Sequence, residues 1–314
     1  MAEIVVSEFM DEDAIRDRLA GHDVLYDPTL VDRPDDLKAA LAGARALVVR
    51  NRTQVRQDLL AAAPRLVAVG RLGVGLDNID VPACEARGLA VYPAIGANDV
   101  SVAEYVIATA MILLRGAYSA TAEVAAGGWP RARLVGGREI SGKRLGLVGF
   151  GSIAREVARR ADALGMTVCA HDPHLPAAHP AWRQPWGSVE RIGLDALLAC
   201  ADVVSLHVPL TPETRSLIDA NRLDRCRPTC VLINAARGGV VDEAALAAAL
   251  KAGRLGGAAL DVFGEEPLSP GNGAVLAGCP NLILTPHVAG VTAEANIRVS
   301  RMVAEAIRAH LAAS

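Results

Sequence analysis

The chain is poor in aromatic residues, with three Phe, four Tyr and three Trp among 314 positions. Beside abundant alanine, that scarcity reflects the composition of the genome more than any function. A long hydrophobic run is also missing. The longest, Tyr105–Leu114, is too short to span a bilayer and suits a buried helix. Net charge is small, formally −3, which leaves no electrostatic case for nucleic acid or an anionic membrane as partner. The six cysteines (84, 169, 200, 226, 230 and 279) fall without a CxxC or zinc-like spacing. They read as reduced thiols of a cytoplasmic protein, mostly small core residues. The N-terminal MAEIVVSEFMDED is acidic and runs straight into a strand, unlike a signal peptide. Internal repeats, low-complexity tracts and long linkers are absent from the sequence.

What is present is organised around Arg144–Asp172. Leu145, Leu147 and Val148 lie in a short apolar run that reads as a buried strand. Gly149-Phe150-Gly151-Ser152-Ile153-Ala154 follows, then helical periodicity over Ala154–Leu164, a second apolar run at Met166–Ala170, and Asp172. In a dinucleotide site Gly149 permits the tight turn and Gly151 lets the backbone approach a pyrophosphate. Ala154 is small enough for close helix–strand packing. The helix N-terminus offers N–H groups to phosphate, and Asp172 stands where a carboxylate holds a ribose 2′-hydroxyl. A bare GxGxxA is a weak signal, but the flanking strands, helix and acid make it a specific one.

The length implies two domains. Ile4–Val6, Val24–Tyr26, Ala46–Val49, Leu66–Val69 and Leu89–Tyr92 are short apolar runs separated by helix-like segments. That alternation predicts a parallel sheet with helices on both faces, ending near residue 100. Ser101-Val102-Ala103-Glu104 reads as a capping box opening a long apolar helix to Leu114. Ala117–Arg138 shows no clear strand and reads as an arm or a connecting excursion. Further strands are expected at Val203–His207, Cys230–Asn234, Gly257–Asp261 and Leu282–Leu284, with Pro267–Gly273 as a Pro/Gly loop. Val291–Ala313 is one amphipathic helix, free to return to the first domain.

Three polar groups lie just past strand ends of the second unit, where open parallel sheets bind ligands. Arg237, in Asn234-Ala235-Ala236-Arg237, carries a fork suited to a carboxylate. His287, after Thr285-Pro286, can give or take a proton near neutral pH. Glu266 could orient that imidazole and favour its charged form. Hydride transfer between nicotinamide and a 2-keto acid needs such a set: an anion anchor, a proton donor and a group that tunes the donor. Taken singly, each is more often a solvated charge or a structural histidine; in this order after the nucleotide turn, the catalytic reading prevails. His171, His174 and His179 fit no zinc spacing, so no metal is expected. His207-Val208-Pro209 reads as a strand end bordering the adenine side, with structural packing nearly as good a reading.

GFGSIA, INAARGG, ALDVFGEEPL and LTPHVAG, in that order, resemble the D-isomer-specific 2-hydroxyacid dehydrogenase family, as do VGRLGVGLDNID and GANDVSVAE in the N-terminal half. The resemblance implies a Rossmann cofactor domain (101–287) inserted in a flavodoxin-like substrate domain (1–100 and 288–314). It implies Arg237, Glu266 and His287 as the catalytic set. NAD would be held by Gly149, Gly151, Ser152, Ile153, Asp172, His207, Pro209, Ala235, Ala236, Arg237, Asp261, His287 and Gly290. Gly73-Val74-Gly75 would present N–H groups to the substrate carboxylate, and helix 101 onward with the arm would form a homodimer contact.

Arg50, Arg52, Arg71 and Arg131 are surface salt-bridge candidates when taken one by one. VRNRT and Trp129-Pro130-Arg131, however, resemble elements that hold a second anionic group in phosphoglycerate dehydrogenases. SEFMDE, LVDRPDDL and VRNRTQVR are most similar to the sulfolactate dehydrogenase subgroup. The expected substrate is therefore a small dianionic 2-hydroxy acid, with (S)-sulfolactate first and 3-phosphoglycerate, glycerate or lactate behind it. The absence of a regulatory domain after the last helix weakens the phosphoglycerate reading. The same fold also serves NAD(H)-binding corepressors that act as interaction modules; those use disordered tails, and none is seen here.

Overall fold

Short runs of Val, Ile, Leu and Ala form two all-parallel sheets. The central strands Ile4–Val6, Ala46–Val49, Val203–Leu206, Val231–Asn234 and Gly257–Leu260 are buried on both faces, while edge strands such as Val24–Tyr26 and Leu282–Leu284 are partly exposed. The computed structural model describes residues 2–313. Two compact units divide the chain: one takes the residues up to Asn98 together with those from Val291, the other Asp99–Gly290.

The first unit carries β1 (Ile4–Val6), β2 (Val24–Tyr26), β3 (Ala46–Val49), β4 (Ala68–Arg71) and β5 (Ala90–Pro93), in sheet order β2-β1-β3-β4-β5. That is the flavodoxin-like order. One face is covered by the helix Ala293–Ala313, whose Val299, Val303 and Ile307 pack against Ile4, Val48 and Ala68. The other face is closed by Leu37, Leu41, Leu59 and Leu60 against Val5, Leu47 and Val69. The C-terminal helix thus completes a unit begun at the N-terminus.

The second unit is a seven-stranded parallel sheet: β6 (Arg144–Val148), β7 (Thr167–His171), β10 (Glu190–Arg191), β11 (Val203–Leu206), β12 (Val231–Asn234), β13 (Gly257–Leu260) and β14 (Leu282–Leu284), in the order β10-β7-β6-β11-β12-β13-β14. The hairpin β8 (Arg183–Gln184) with β9 (Gly187–Ser188) lies outside that sheet. From β6 outward, the strand order reverses between β7 and β11, the doubly wound arrangement with its switch point beside β6. One core layer joins Val106, Ala110, Leu113, Val157 and Ile233; the other joins Leu197, Leu206, Leu232 and Leu246.

Three local expectations are corrected. The long helix opens at Asp99, not Ser101, and Ser101 is buried inside its first turn. Pro267–Gly273 is not wholly loop, because Pro270–Leu276 is helical. Ser269 caps that helix by accepting from Asn272 N, and proline at the first helical position needs no N–H partner. The breaks expected near 100 and 288 fall at 98/99 and 290/291, since the helix starts early and the 285–289 turn is tied to Asp261 in the second unit.

Candidate active site

The turn after β6 is shaped by close approach. Gly149 has φ +89°, and a Cβ there would lie 2.3 Å from the His207 carbonyl oxygen. Any side chain would be strained and would collide, so the turn is open only to glycine. Gly151 caps the helix Ser152–Ala163 without a side-chain bond and faces open space. The first N–H groups of that helix are therefore left for an anion. Asp172 stands one residue past β7. Its Oδ2 accepts from Phe150 N at 2.9 Å, and its Oδ1 accepts from His174 N at 2.9 Å and Leu175 N at 3.1 Å. It braces the glycine turn. Those features fit a dinucleotide. His207 bonds Ser205 Oγ through Nε2 at 2.9 Å, and burial pushes its imidazole down to about 4, so it is neutral at physiological pH.

At the carboxyl ends of β12, β13 and β14 the polar residues are held by one another. Buried Asn234 clamps its own turn, accepting from Ala236 N at 3.1 Å and donating to Arg237 O at 2.9 Å. Beside Arg237, a Cβ on Gly238 would fall 1.7 Å from the Phe263 carbonyl oxygen. Its absence lets the arginine turn lie directly on the loop that carries Glu266. Glu266 Oε1 accepts from Phe263 N at 2.9 Å, and Oε2 lies 2.7 Å from His287 Nδ1. Burial alone would push the Glu266 carboxyl up. The bonds from His287 and Phe263 N, with the charges of His287 and Arg237, outweigh it and hold the group below the ordinary carboxylate range. An ionised carboxylate only accepts, so the proton in the His287–Glu266 bond sits on Nδ1 and Nε2 is left for a ligand.

His287 has φ +57°, a conformation that costs a non-glycine residue about 1–2 kcal/mol. Asp261, 1% exposed, offsets that cost. Its carbonyl accepts from His287 N at 2.8 Å. Its carboxylate accepts from Val288 N at 2.9 Å, Ala289 N at 2.8 Å and Thr285 Oγ1 at 2.6 Å. Because the Thr285 hydrogen goes to Asp261, Tyr105 must be the donor in its 2.7 Å bond to Thr285. Asn234 and Thr285 stand in the motifs past the strand ends, whereas nothing in the sequence marks Tyr105 as a site-building residue; its bond to Thr285, and that of Thr285 to Asp261, join positions far apart in sequence.

In the first unit, Gly73-Val74-Gly75 follows β4, and Arg71 folds back so that its guanidinium lies over Gly73 and reaches Leu72 O at 3.3 Å. Arg50 and Arg52 follow β3 at the same edge of the sheet. The sequence suggests surplus cations there, but both are engaged. Arg52 pairs with Asp32, Nη1 to Oδ2 at 3.3 Å. Arg50 donates to Asn296 Oδ1 at 2.5 Å and Phe9 O at 3.4 Å, and lies 5.8 Å from the Phe9 ring centroid. Arg131 opens the short helix Arg131–Leu134 of the arm and is exposed, next to Trp129.

A doubly wound parallel sheet with this glycine turn at its switch point defines a dinucleotide-binding α/β protein. The family model described as D-isomer specific 2-hydroxyacid dehydrogenase, NAD binding domain, matches residues 107–289. The chain belongs to that family; it is an NAD-dependent 2-hydroxyacid dehydrogenase. It is 55% identical over 309 residues to the (S)-sulfolactate dehydrogenase of Chromohalobacter salexigens, covering 98% of each chain. To the D-3-phosphoglycerate dehydrogenase of Mycobacterium bovis it is 44% identical over 90% of its length, but it spans only 52% of that protein. The D-lactate dehydrogenase of Aquifex aeolicus, complexed with NAD and lactic acid, superposes with TM-score 0.84 at 26% identity, covering 99% and 96% of the two chains.

Proposed function

We propose that the enzyme oxidises a small 2-hydroxy acid bearing a second anionic group, with (S)-sulfolactate to sulfopyruvate as the reaction, and runs it reversibly. What carries the chemistry is the Glu266–His287 pair; what favours this substrate is the full-length likeness to a sulfolactate dehydrogenase. The residues around Gly149, Gly151 and Asp172 hold the dinucleotide, with Ser152, Ile153, His207, Pro209, Ala235, Ala236, Asp261 and Gly290 beside it. Bound NAD supplies the hydride acceptor. For the substrate carboxylate, the first unit offers the Gly73–Gly75 backbone and the second unit offers the Arg237 fork. His287 Nε2 takes the hydroxyl proton as the C2 hydride leaves, and Nδ1 stays on Glu266, which stabilises the imidazolium so formed. In reduction the same imidazolium returns its proton to the new alkoxide oxygen. For the sulfonate, an anion that guanidinium forks bind well, the first unit offers Arg50, Arg52 and Arg71 and the second unit offers Arg131. Sulfur raises the CH2 branch above the carboxylate in priority, so a D-specific site takes the isomer labelled S.

The test is a turnover comparison at matched NAD. Sulfolactate should exceed lactate and glycerate in kcat/KM by about ten- to a hundredfold, the share of one charge-assisted bond. Equal efficiency with the singly charged acids would sink the sulfonate assignment, and a clear preference for 3-phosphoglycerate would move it to phosphate.

Cofactor choice follows from Asp172. A carboxylate accepts from both ribose hydroxyls and repels a 2′-phosphate, and Pro173-His174-Leu175 adds no arginine to offset it. Asp172→Ala should lower the NADH-over-NADPH preference by about ten- to a hundredfold, since like-charge contacts cost several kcal/mol. A ratio of efficiencies is insensitive to any stability lost with the bonds to Phe150, His174 and Leu175; an unchanged ratio would place the acid away from the ribose.

The arm also favours a second copy of the chain as partner. Large apolar side chains stay exposed along 111–135, among them Met111, Ile112, Tyr118 and Val124, with Trp129 at 79% and Val135 at 76%. Light scattering at micromolar concentration should return a homodimer mass; a monomer would remove this assignment.

A further inference from the structure

Glu8 is an ionisable residue the mechanism leaves unused, and it is 4% exposed. It lies two residues past β1, at the same carboxyl edge of the first sheet as the Arg50–Thr53 loop after β3. A buried carboxylate is costly unless its lone pairs are filled. Here four successive backbone N–H groups fill them. Oε1 accepts from Arg50 N and Thr53 N, each at 2.9 Å, and Oε2 from Arg52 N at 3.1 Å and Asn51 N at 3.3 Å. Successive N–H groups converging on one point form a concavity that binds anions, and in this loop the anion is the protein's own.

The rest of the loop is closed around that contact. Buried Asn78 donates to Thr53 O at 2.8 Å and Arg50 O at 3.4 Å, and Ser7 Oγ meets Thr53 Oγ1 at 3.0 Å. Two consequences follow. The backbone donors of 50–53 are spent on Glu8, so a ligand anion arriving at this loop can be met only by side chains, the arginine forks above all. The direction in which residues 50 and 52 leave the main chain is set by the turn that Glu8 holds.

We propose that Glu8 is the positioning residue of the second-anion subsite, holding Arg50 and Arg52 in place through the backbone of their loop. The inference rests on the reading that these arginines meet the substrate's sulfonate. Glu8→Gln keeps the shape but replaces one acceptor oxygen by an NH2 facing N–H groups, which turns the hub repulsive on one side. It should raise the sulfolactate KM about tenfold or more, with kcat within about twofold. The efficiency with D-lactate, which has no second anion, should stay within about twofold.

The discriminating measurement is a mutant cycle. If Glu8 acts through the arginines, adding Glu8→Gln to Arg50→Ala/Arg52→Ala should cost little further sulfolactate efficiency. Additive losses, equal losses with lactate and sulfolactate, or no loss from Glu8→Gln alone would each overturn the positioning role while the arginine subsite stands. If Arg50→Ala/Arg52→Ala itself leaves the preference for sulfolactate unchanged, the subsite reading fails and the role of Glu8 with it. Should Glu8→Gln not yield folded protein, Glu8→Asp carries the same cycle. It keeps the charge but draws it back by one methylene, so a smaller loss confined to sulfolactate is expected.

Discussion

Replacing His287 by alanine should lower turnover in both directions by a factor on the order of a hundred or more, while NADH binding measured by fluorescence stays nearly intact. At the carboxyl edge the Nδ1 of this ring is held at 2.7 Å by Glu266, which leaves Nε2 for the substrate hydroxyl. Its place depends on a backbone conformation, φ +57°, that Asp261 supports. His287→Ala removes the proton carrier but leaves that turn to its Asp261 bonds, so the loss should fall on kcat. Glu266→Gln should cost less, about tenfold, because the carboxylate that holds the ring through Nδ1 is gone. On the acid side, the Glu266 carboxyl is held below its ordinary range, so the pair should survive until the pH drops beneath the usual carboxylate values. Near-normal turnover in His287→Ala would place the acid elsewhere.

Arg237→Ala should reduce kcat/KM for every 2-hydroxy acid, lactate included, by about a hundredfold or more. A guanidinium fork on a carboxylate makes two charge-assisted bonds worth roughly 1.5–3 kcal/mol each. Arg237→Lys should recover only part of this, since an ammonium cannot make the bidentate contact. The contrast with Arg52→Ala is the useful one: loss at Arg237 should be blind to the second anion, and loss at Arg52 should require it. An Arg237→Ala enzyme within a few fold of the parent would assign the carboxylate to the Gly73–Gly75 loop alone.

Much of this is legible in the sequence alone. The strand–glycine–helix–strand–acid order of 144–172 is local, and both its turn and its hydrophobic periodicity are written in adjacent residues. Arg237, Glu266 and His287 could be singled out because each sits just past an apolar run, and the ends of parallel strands share one edge. Helix starts were less legible. Ser101 looks like a cap but is buried inside a helix that opens at Asp99, and Pro270 looks like a breaker but begins a helix behind Ser269.

The sequence by itself determined the two α/β units, the glycine turn after β6 and the polar residues past the strand ends, because those depend on periodicity and on neighbours within a few positions. Only the tertiary structure decided what holds them. That Glu8 fills the donors of residues 50–53, that Asp261 supports the turn at His287, that Gly238 lies on Phe263, and that Arg52 meets Asp32 are contacts between residues about 20 to 45 positions apart. A buried polar group must find a partner wherever the folded chain brings one, and nothing in the local pattern says which partner that is.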